Sequence, residues 1–350
     1  LAYNLTQNGP PIVLAAGLRS PWARAGGAFK HEDAGHLGGS VARELISRTG
    51  LDPAVLDEVI VGCVGPPHDQ ANIARVIALR AGVPQSVPAR TVARNCASGI
   101  ESVTSAIANI RAGFGDTYLT MGVEVMSGYP LIMGRRLTGF FERMMKSRGL
   151  GQQLGTMLSF RPSMLKPRVA LLEGLTDPIS GMIMGNTAEL IAREFGLSRD
   201  LCDGFALRSH ERAIAATNRG RFENEILPHL PQGAKKGGRS LDSDDAPRSD
   251  QSMERLAKLR PYFEKPDGVV TVGNACGITD GAAAILVTTE AKAAELGLQP
   301  LARVRSFAWS GCDPARMGLG PVYSSAGALD AAGCQLSDMG TIEVNEAFAA

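Results

Sequence analysis

Paired cysteines, metal-ligand spacing, long apolar runs and an excess of one charge are all missing from this 350-residue sequence, and each absence removes a class of protein. The six cysteines (Cys63, Cys96, Cys202, Cys276, Cys312, Cys334) include no CxxC pair, and no histidine stands at metal-ligand spacing. Neither a disulfide framework nor a zinc site is expected, and no metal is assigned. A reducing compartment fits this cysteine usage: the cytoplasm is expected, with a mitochondrial or peroxisomal matrix as the alternative. No apolar stretch approaches the roughly 18 residues that span a bilayer. The opening "LAYNLTQNGPPIVLAAG" lacks the basic, apolar and small-residue regions of a secretion signal. A formal charge of +1 supplies no field to recruit nucleic acid, which is not expected as a partner.

What is present is a chain long enough for two packed domains, 44% hydrophobic and 20% charged. Strand-like and helix-like segments alternate, the pattern of an α/β architecture with buried, mainly parallel sheets. "PIVLAAG", "DEVIVGCV", "PARTVARN" and "DTYLTMGVEV" read as strands. "HEDAGHLGGSVARELISRTG" and "ANIARVIALRAG" read as helices stopped by Gly50 and Gly82. Residues 126–252 break the rhythm with prolines, a basic tract and the loop "GAKKGGRSLDSDDAPRSD", and are expected to be an insertion. Alternation resumes at "GVVTVGNACGITDGAAAILVTT". A faint repeat also runs through the chain. "VARELISRTGLDPAVLDEVIVGCV" and "SAGALDAAGCQLSDMGTIEVNEAF" share an Ala-rich helix, a Gly, a short Asp-bearing link and an apolar strand, each unit following a strand of its own.

Cys96 is the residue that calls for an explanation. In "TVARNCASGIESVTSAIANIRAG" it sits where a β-branched run stops and a helix over 97–111 is expected to begin. Free N–H groups and the helix dipole at such a position favour a thiolate. Small neighbours leave room for a ligand, and the strand-to-helix elbow lies at the sheet edge where open α/β folds bind ligands. A buried cysteine acting as a small hydrophobe is the competing account.

"RNCASGIESVTSAIANIRAG" followed by "MGVEVMS" resembles the nucleophile segment of the thiolases. Three further stretches agree in order and spacing: "MGNTAELIAREFGLSRDLCDGFALRSHERA", "AKLRPYF" leading to "VTVGNACGITDGAAAILV", and "RMGLGPV" leading to "VNEAFAA". The resemblance implies a thiolase fold of two similar α/β halves in a five-layered αβαβα core. It implies an N-terminal half over 1–125 completed by about 253–290, an inserted loop domain over 126–252 for CoA and acyl binding, and a C-terminal half over 291–350. The implied activity is thiolytic cleavage of 3-oxoacyl-CoA through an acyl-Cys96 enzyme, in fatty-acid β-oxidation. CoA would be a substrate, with no permanently bound cofactor. Asn345 of "NEAF" would hold a water that stabilises the enolate oxygen. Taken alone, an Asn after "TIEV" is more simply a strand-end residue.

Arg248 matches a family arginine near the adenine and phosphate end of CoA, and a cation there is chemically sensible. Cys276 and Gly277 fall in the motif that meets the pantetheine arm, Cys276 where many thiolases carry serine. Met184 and Met317 match methionines lining the acyl pocket. The sequence also departs from the family: the "GHP" motif with the catalytic histidine and the "CxGGG" motif with the second cysteine are absent. His31, His36, His68, His210 and His229 stand in no matching context, and His210 reads as a solvated helix residue. A truncated part of a longer protein is therefore expected, or otherwise a catalytically dead one.

Between Arg135 and Arg168, eight basic residues face the single acid Glu142, with Leu137, Phe140, Phe141, Met144 and Met145 interleaved at helical spacing. This tract resembles that of the thiolase subunit in the β-oxidation trifunctional complex, although that group commonly has "HEAF". It reads as a surface for an anionic membrane or a β-oxidation partner, or as a lid over the site. A homodimer or homotetramer is implied by the resemblance. A biosynthetic acetyl-CoA acetyltransferase, a ketoacyl-synthase-like condensing enzyme and a non-catalytic subunit are the alternative functions, and "NEAF" with "GNACGITDGAAA" decides against the condensing enzyme.

Overall fold

The computed structural model describes residues 2–6, 9–235 and 237–350. In chain order the first half contains β1 (Ala2–Asn4), β2 (Ile12–Arg19), β3 (Ala23–Arg24), α1 (Ala34–Thr49), β4 (Glu58–Gly62), α2 (Ile73–Arg80), β5 (Ala89–Val92), α3 (Ser98–Arg111) and β6 (Thr117–Val125). Then follow β7 (Leu131–Ile132), α4 (Arg135–Lys146), α5 (Leu150–Leu158), β8 (Arg168–Val169) and α6 (Ala170–Gly174). The chain continues with α7 (Met184–Phe195), α8 (Arg199–Asn218), α9 (Met253–Ala257), β9 (Thr279–Thr289), α10 (Glu290–Glu295), β10 (Ala302–Arg303), β11 (Ser306–Ala308) and α11 (Gly320–Ala332).

The local chemistry sets these limits. Asp33 caps α1 by accepting the His36 N–H at 2.7 Å, and Gly50 ends it at φ 65°, a left-handed value that glycine reaches without steric cost. Gly333 ends α11 the same way at φ 64°. The repeat seen in the sequence is thus carried by the backbone: helix, left-handed glycine, then a short 3-10 turn at Pro53–Val55 in one unit and Leu336–Asp338 in the other. The last member differs. β4 is a paired strand, whereas the expected strand "TIEV" has no regular structure, its Ile342 and Val344 are exposed, and no described strand pairs with it.

The main sheet runs β10-β2-β9-β6-β4-β5, with β3 also on β9. Only β4–β5 and β4–β6 are parallel. β9 returns antiparallel between β2 and β6, so the expected mainly parallel sheet is a mixed one. A strand buried on both faces reads as a continuous apolar run whichever way it points, so the sequence pattern does not distinguish the two.

Successive strand residues face opposite layers. Val59, Val61, Leu119, Met121, Ala284 and Leu286 pack with Leu37, Val41, Leu45, Ile73 and Ile77 of α1 and α2. Ile60, Tyr118 and Val287 point the other way, onto Ala106, Ile107 and Ile110 of α3. Beyond α3, Leu5, Val304 and Phe307 join that second cluster, and β1 pairs with β11. On the far side α11 packs so closely that a Cβ on Gly327 would lie 3.3 Å from that of Ala308. Five layers result: α1 and α2, main sheet, α3, the β1–β11 pair, α11.

Tyr129–Met184 forms a second compact unit, narrower than the expected insertion over 126–252, since residues from Gly185 onward belong to the first unit. Within it, α4 buries Leu137 and Phe140 while Phe141 and Met145 remain exposed. Phe140 meets Phe160 edge-on at 5.5 Å, and β7 pairs with β8. Among the described residues, no helix is long and apolar enough to cross a membrane.

One glycine decides where α3 can sit. A Cβ on Gly62, the last residue of β4, would fall 2.1 Å from the carbonyl oxygen of Ser98. Gly62→Ala is expected to cost roughly 1–3 kcal/mol, the range for overpacking a filled site. Thermal unfolding checks this, and the alkylation rate of Cys96 should change with it because the start of α3 must shift.

Candidate active site

The chain reverses between Val92 and Ser98 in a tight elbow. The Arg94 carbonyl accepts the Ala97 N–H at 3.0 Å, and the Asn95 carbonyl accepts the Ser98 N–H at 3.0 Å and its hydroxyl at 2.6 Å. The Ser98 Oγ in turn accepts the Arg94 N–H at 2.8 Å. Asn95 holds φ 47°, the only non-glycine residue with positive φ among those described, and Asn is one of the few side chains that tolerate it. Cys96 sits on the exposed side of this turn. Ala97 caps α3 without a side-chain hydrogen bond. Arg94 pairs with Glu101 in the first turn, and its guanidinium lies 4.1 Å over the ring of Trp309, just after β11. The elbow is therefore fixed from both halves of the fold.

Cys276 faces the same place. Burial first, and then the charge of Cys96, push its thiol up, although the residue keeps contact with solvent. A sulfur surrounded by protein yet open on one side describes a recess. Its backbone N–H donates to the Ala347 carbonyl at 3.0 Å, and Ala275 bridges to Phe348, so the "NEAF" segment lies along the "GNACG" loop. Asn345 is exposed there, and its side-chain amide has no hydrogen-bond partner among the described residues. Gly277 borders open space.

The loop is held by a buried polar network. Asn274 is 3% exposed; its amide donates to Asp203 at 2.8 Å and to the Val269 carbonyl at 2.9 Å, and its side-chain oxygen accepts the Thr271 N–H at 2.7 Å. Its backbone carbonyl accepts the Ala349 N–H at 2.9 Å. Asp203 also accepts from Arg199 at 2.7 Å, one turn earlier on α8. With every polar atom engaged, the network fixes both the cysteine loop and the segment carrying Asn345.

The structure corrects one expectation here. His210 is not a solvated helix residue: its Nδ1 accepts the Arg248 N–H at 3.2 Å, and Ser209 beside it donates to Glu346 at 2.8 Å. Burial and the Arg248 charge lower the His210 pKa, with Glu346 opposing. The guanidinium of Arg248 is exposed. Met317 lies half-buried in the turn Pro314–Leu319, whose Arg316 bonds Glu194 and whose Gly318 abuts Ile191, so this turn packs along α7. Met184 opens α7 and is half-buried. The sequence reading gave no role in the site to Asn274, Asp203, Ser209 or His210, although all four stood inside stretches that carry the family resemblance. A cavity of about 520 Å³ lined by Arg193, Glu264 and Lys265 includes neither Cys96, Cys276 nor Asn345 in its lining.

An exposed cysteine on a strand-to-helix elbow, a second cysteine beside it and an Asn-bearing segment laid along the second cysteine's loop come together on a layered α/β fold. Family models agree: "Thiolase, N-terminal domain" matches residues 12–291 and "Thiolase, C-terminal domain" residues 298–350. The chain is 40% identical over 341 residues to a "Probable acetyl-CoA acyltransferase" of Staphylococcus aureus, covering 97% of this chain and 81% of the relative. It is 41% identical over 342 residues to a "3-ketoacyl-CoA thiolase" of Escherichia coli, covering 97% and 80%. Among solved structures, Bacillus anthracis acetyl-CoA acetyltransferase superposes with TM-score 0.86 at 35% identity, over 97% of this chain and 81% of that one. Human mitochondrial 3-ketoacyl-CoA thiolase in complex with CoA superposes with TM-score 0.84 at 33% identity, over 97% and 80%. The chain belongs to the thiolase family and is an acyltransferase of that family.

The thiols differ in their surroundings, Cys96 being exposed and Cys63 buried. Cys63 is buried beside Glu124, and burial and then that carboxylate push its thiol up to about 12. Iodoacetamide at pH 8 is expected to alkylate Cys96 and spare Cys63 in the native protein, with peptide mapping as the check. Cys63 should react only once the fold is lost, because a thiol that titrates near 12 holds almost no thiolate at pH 8.

Proposed function

We propose that this chain cleaves 3-oxoacyl-CoA by thiolysis in fatty-acid β-oxidation, with Cys96 as nucleophile. The observation that carries the proposal is the meeting of Cys96, Cys276 and the Asn345 segment at one recess. The Cys96 thiolate attacks the 3-oxo carbonyl, and the bond between C2 and C3 breaks. Its electron pair passes to the leaving acetyl-CoA as an enolate, whose oxygen is met by a water held on the Asn345 amide. The acyl group stays on sulfur until the thiolate of a second CoA attacks, releasing the shortened acyl-CoA and free Cys96. Proton transfer falls to histidine and cysteine motifs that the family carries and this sequence does not contain. CoA is thus a substrate, with Arg248 at its adenine and phosphate end and Cys276 and Gly277 along its pantetheine arm. Met184 and Met317 line the acyl chain. A homodimer or homotetramer in the cytoplasm is the expected setting.

Two substitutions test this. Cys96→Ala is expected to abolish acyl labelling by acyl-CoA without loss of fold, and mass mapping should place the wild-type label on the Cys96 peptide. Label on Cys312 or Cys334 moves the nucleophile elsewhere. Asn345→Ala is expected to slow the carbon–carbon step by about 100-fold to 1,000-fold, the value of one oxyanion donor, and acyl exchange on Cys96 far less. Equal losses in both assays make Asn345 a structural residue.

The unit Tyr129–Met184 is the second part of the proposal. Its α4 buries Leu137 and Phe140 but leaves Phe141 and Met145 exposed, and Arg135, Arg136, Arg143 and Lys146 lie on the same helix. An exposed apolar strip beside cations suits an anionic lipid surface. Flotation with anionic vesicles should show binding at low salt that weakens as salt is raised, since exposed charges are screened within about 10 Å at 0.1 M. Changing the four cations to Glu should release the protein. No wild-type binding leaves a protein partner or a lid role for this unit.

A further inference from the structure

The loop that leads into α1 buries a carboxylate that acyl transfer does not use. The Glu32 side chain is 0% exposed and stands between two imidazoles. His36 Nδ1 is 2.7 Å from Oε1, and His229 Nε2 is 3.2 Å from Oε2, which also accepts the Gln232 N–H at 2.9 Å. One ligand atom from each of Glu32, His36 and His229 lies within 4.8 Å of the others. His229 is 6% exposed and meets the edge of Phe29 at 5.4 Å. Its Nε2 is close enough to Glu32 for an ion pair but is not aligned for a hydrogen bond, and it has no other partner. A buried nitrogen left without a partner costs stability, and here it faces a carboxylate and a second imidazole.

We propose that Glu32, His36 and His229 bind a divalent transition-metal ion of the Zn²⁺ type. Two imidazoles and a carboxylate are the donor set such ions take, and three protein ligands leave a coordination position for water. The ion has an entrance, because the His36 side chain is 42% exposed and borders a cavity of about 340 Å³ shared with Asp33, Ser40, Arg43, Arg80 and Gln232. Of the two cations there, Arg80 is paired with Asp33 and Arg43 donates to the Arg80 carbonyl. Metal bonds of about 2.0–2.2 Å require the three atoms to draw together, and the exposed His36 ring is the member free to move.

The ion would clip two distant stretches. Glu32 and His36 flank the N-cap of α1, whereas His229 lies in the segment that pairs with Leu241 and runs on to Asp244 and Asp245. Those two acids hold Arg19 and the backbone N–H groups of Trp22 and Arg24, so the clip secures a strap across the first unit.

The test uses the whole chain with its exposed thiols blocked by iodoacetamide, so that accessible sulfur does not compete for metal. Titration with Zn²⁺ is expected to show one saturable equivalent, and Co²⁺ should give a nitrogen/oxygen ligand-field spectrum. Zn²⁺ should also raise the unfolding temperature. His36→Ala changes a surface ring and should fold, yet bind at least about tenfold more weakly and lose the thermal shift. His229→Gln should behave likewise. Absence of saturable binding in the wild type overturns the proposal, as does unchanged binding in His36→Ala.

Discussion

Strand β4 and the first turn of α3 approach so closely at Gly62 that no side chain fits between them, and the site depends on that contact. It seats the start of α3 against β4 of the main sheet, and the chain arriving from β5 must then reverse within the elbow that Asn95 and Ser98 close. Cys96 is presented because the turn has no other way round. The cost is a non-glycine residue in the left-handed region, on the order of 1 kcal/mol or more, sustained by the bonds on either side of it. Everything facing Cys96 is brought by other elements: the cysteine loop by Asn274, and the Asn345 segment by the backbone of Cys276 and the carboxylate of Glu346.

The division of labour is uneven. The first half supplies the elbow, while α8 and the loop before β9 supply the scaffold that holds the second cysteine and the "NEAF" segment. α3 lies between the main sheet and the β1–β11 pair, and Arg94 stacks on Trp309, so Cys96 stands at the junction of the two halves rather than on one of them.

Much of this was legible in the sequence where the causes are local. Gly50 and Gly333 stop their helices by backbone conformation, so the repeat could be seen in spacing alone. Cys96 was legible for the same reason, since an elbow between an apolar strand and a helix is a short-range feature. What the sequence did not show depends on residues far apart in the chain. Strand direction was hidden because β9, buried on both faces, looks the same in either sense. Ser209 and His210 read as a polar helix face until Glu346 and Arg248 are laid against them, 137 and 38 positions away. The Glu32, His36 and His229 cluster was hidden because the first two meet the third only across most of the fold.

The central claim is that Cys96 and Cys276 share one recess although 180 residues separate them in the sequence. A short dithiol-bridging reagent such as dibromobimane tests it directly on the native protein, with peptide mapping of the product. The account predicts a fluorescent bridge between the Cys96 and Cys276 peptides that disappears in Cys276→Ser. A bridge joining Cys96 to Cys312 or Cys334, or none at all while both thiols remain alkylatable, would contradict it.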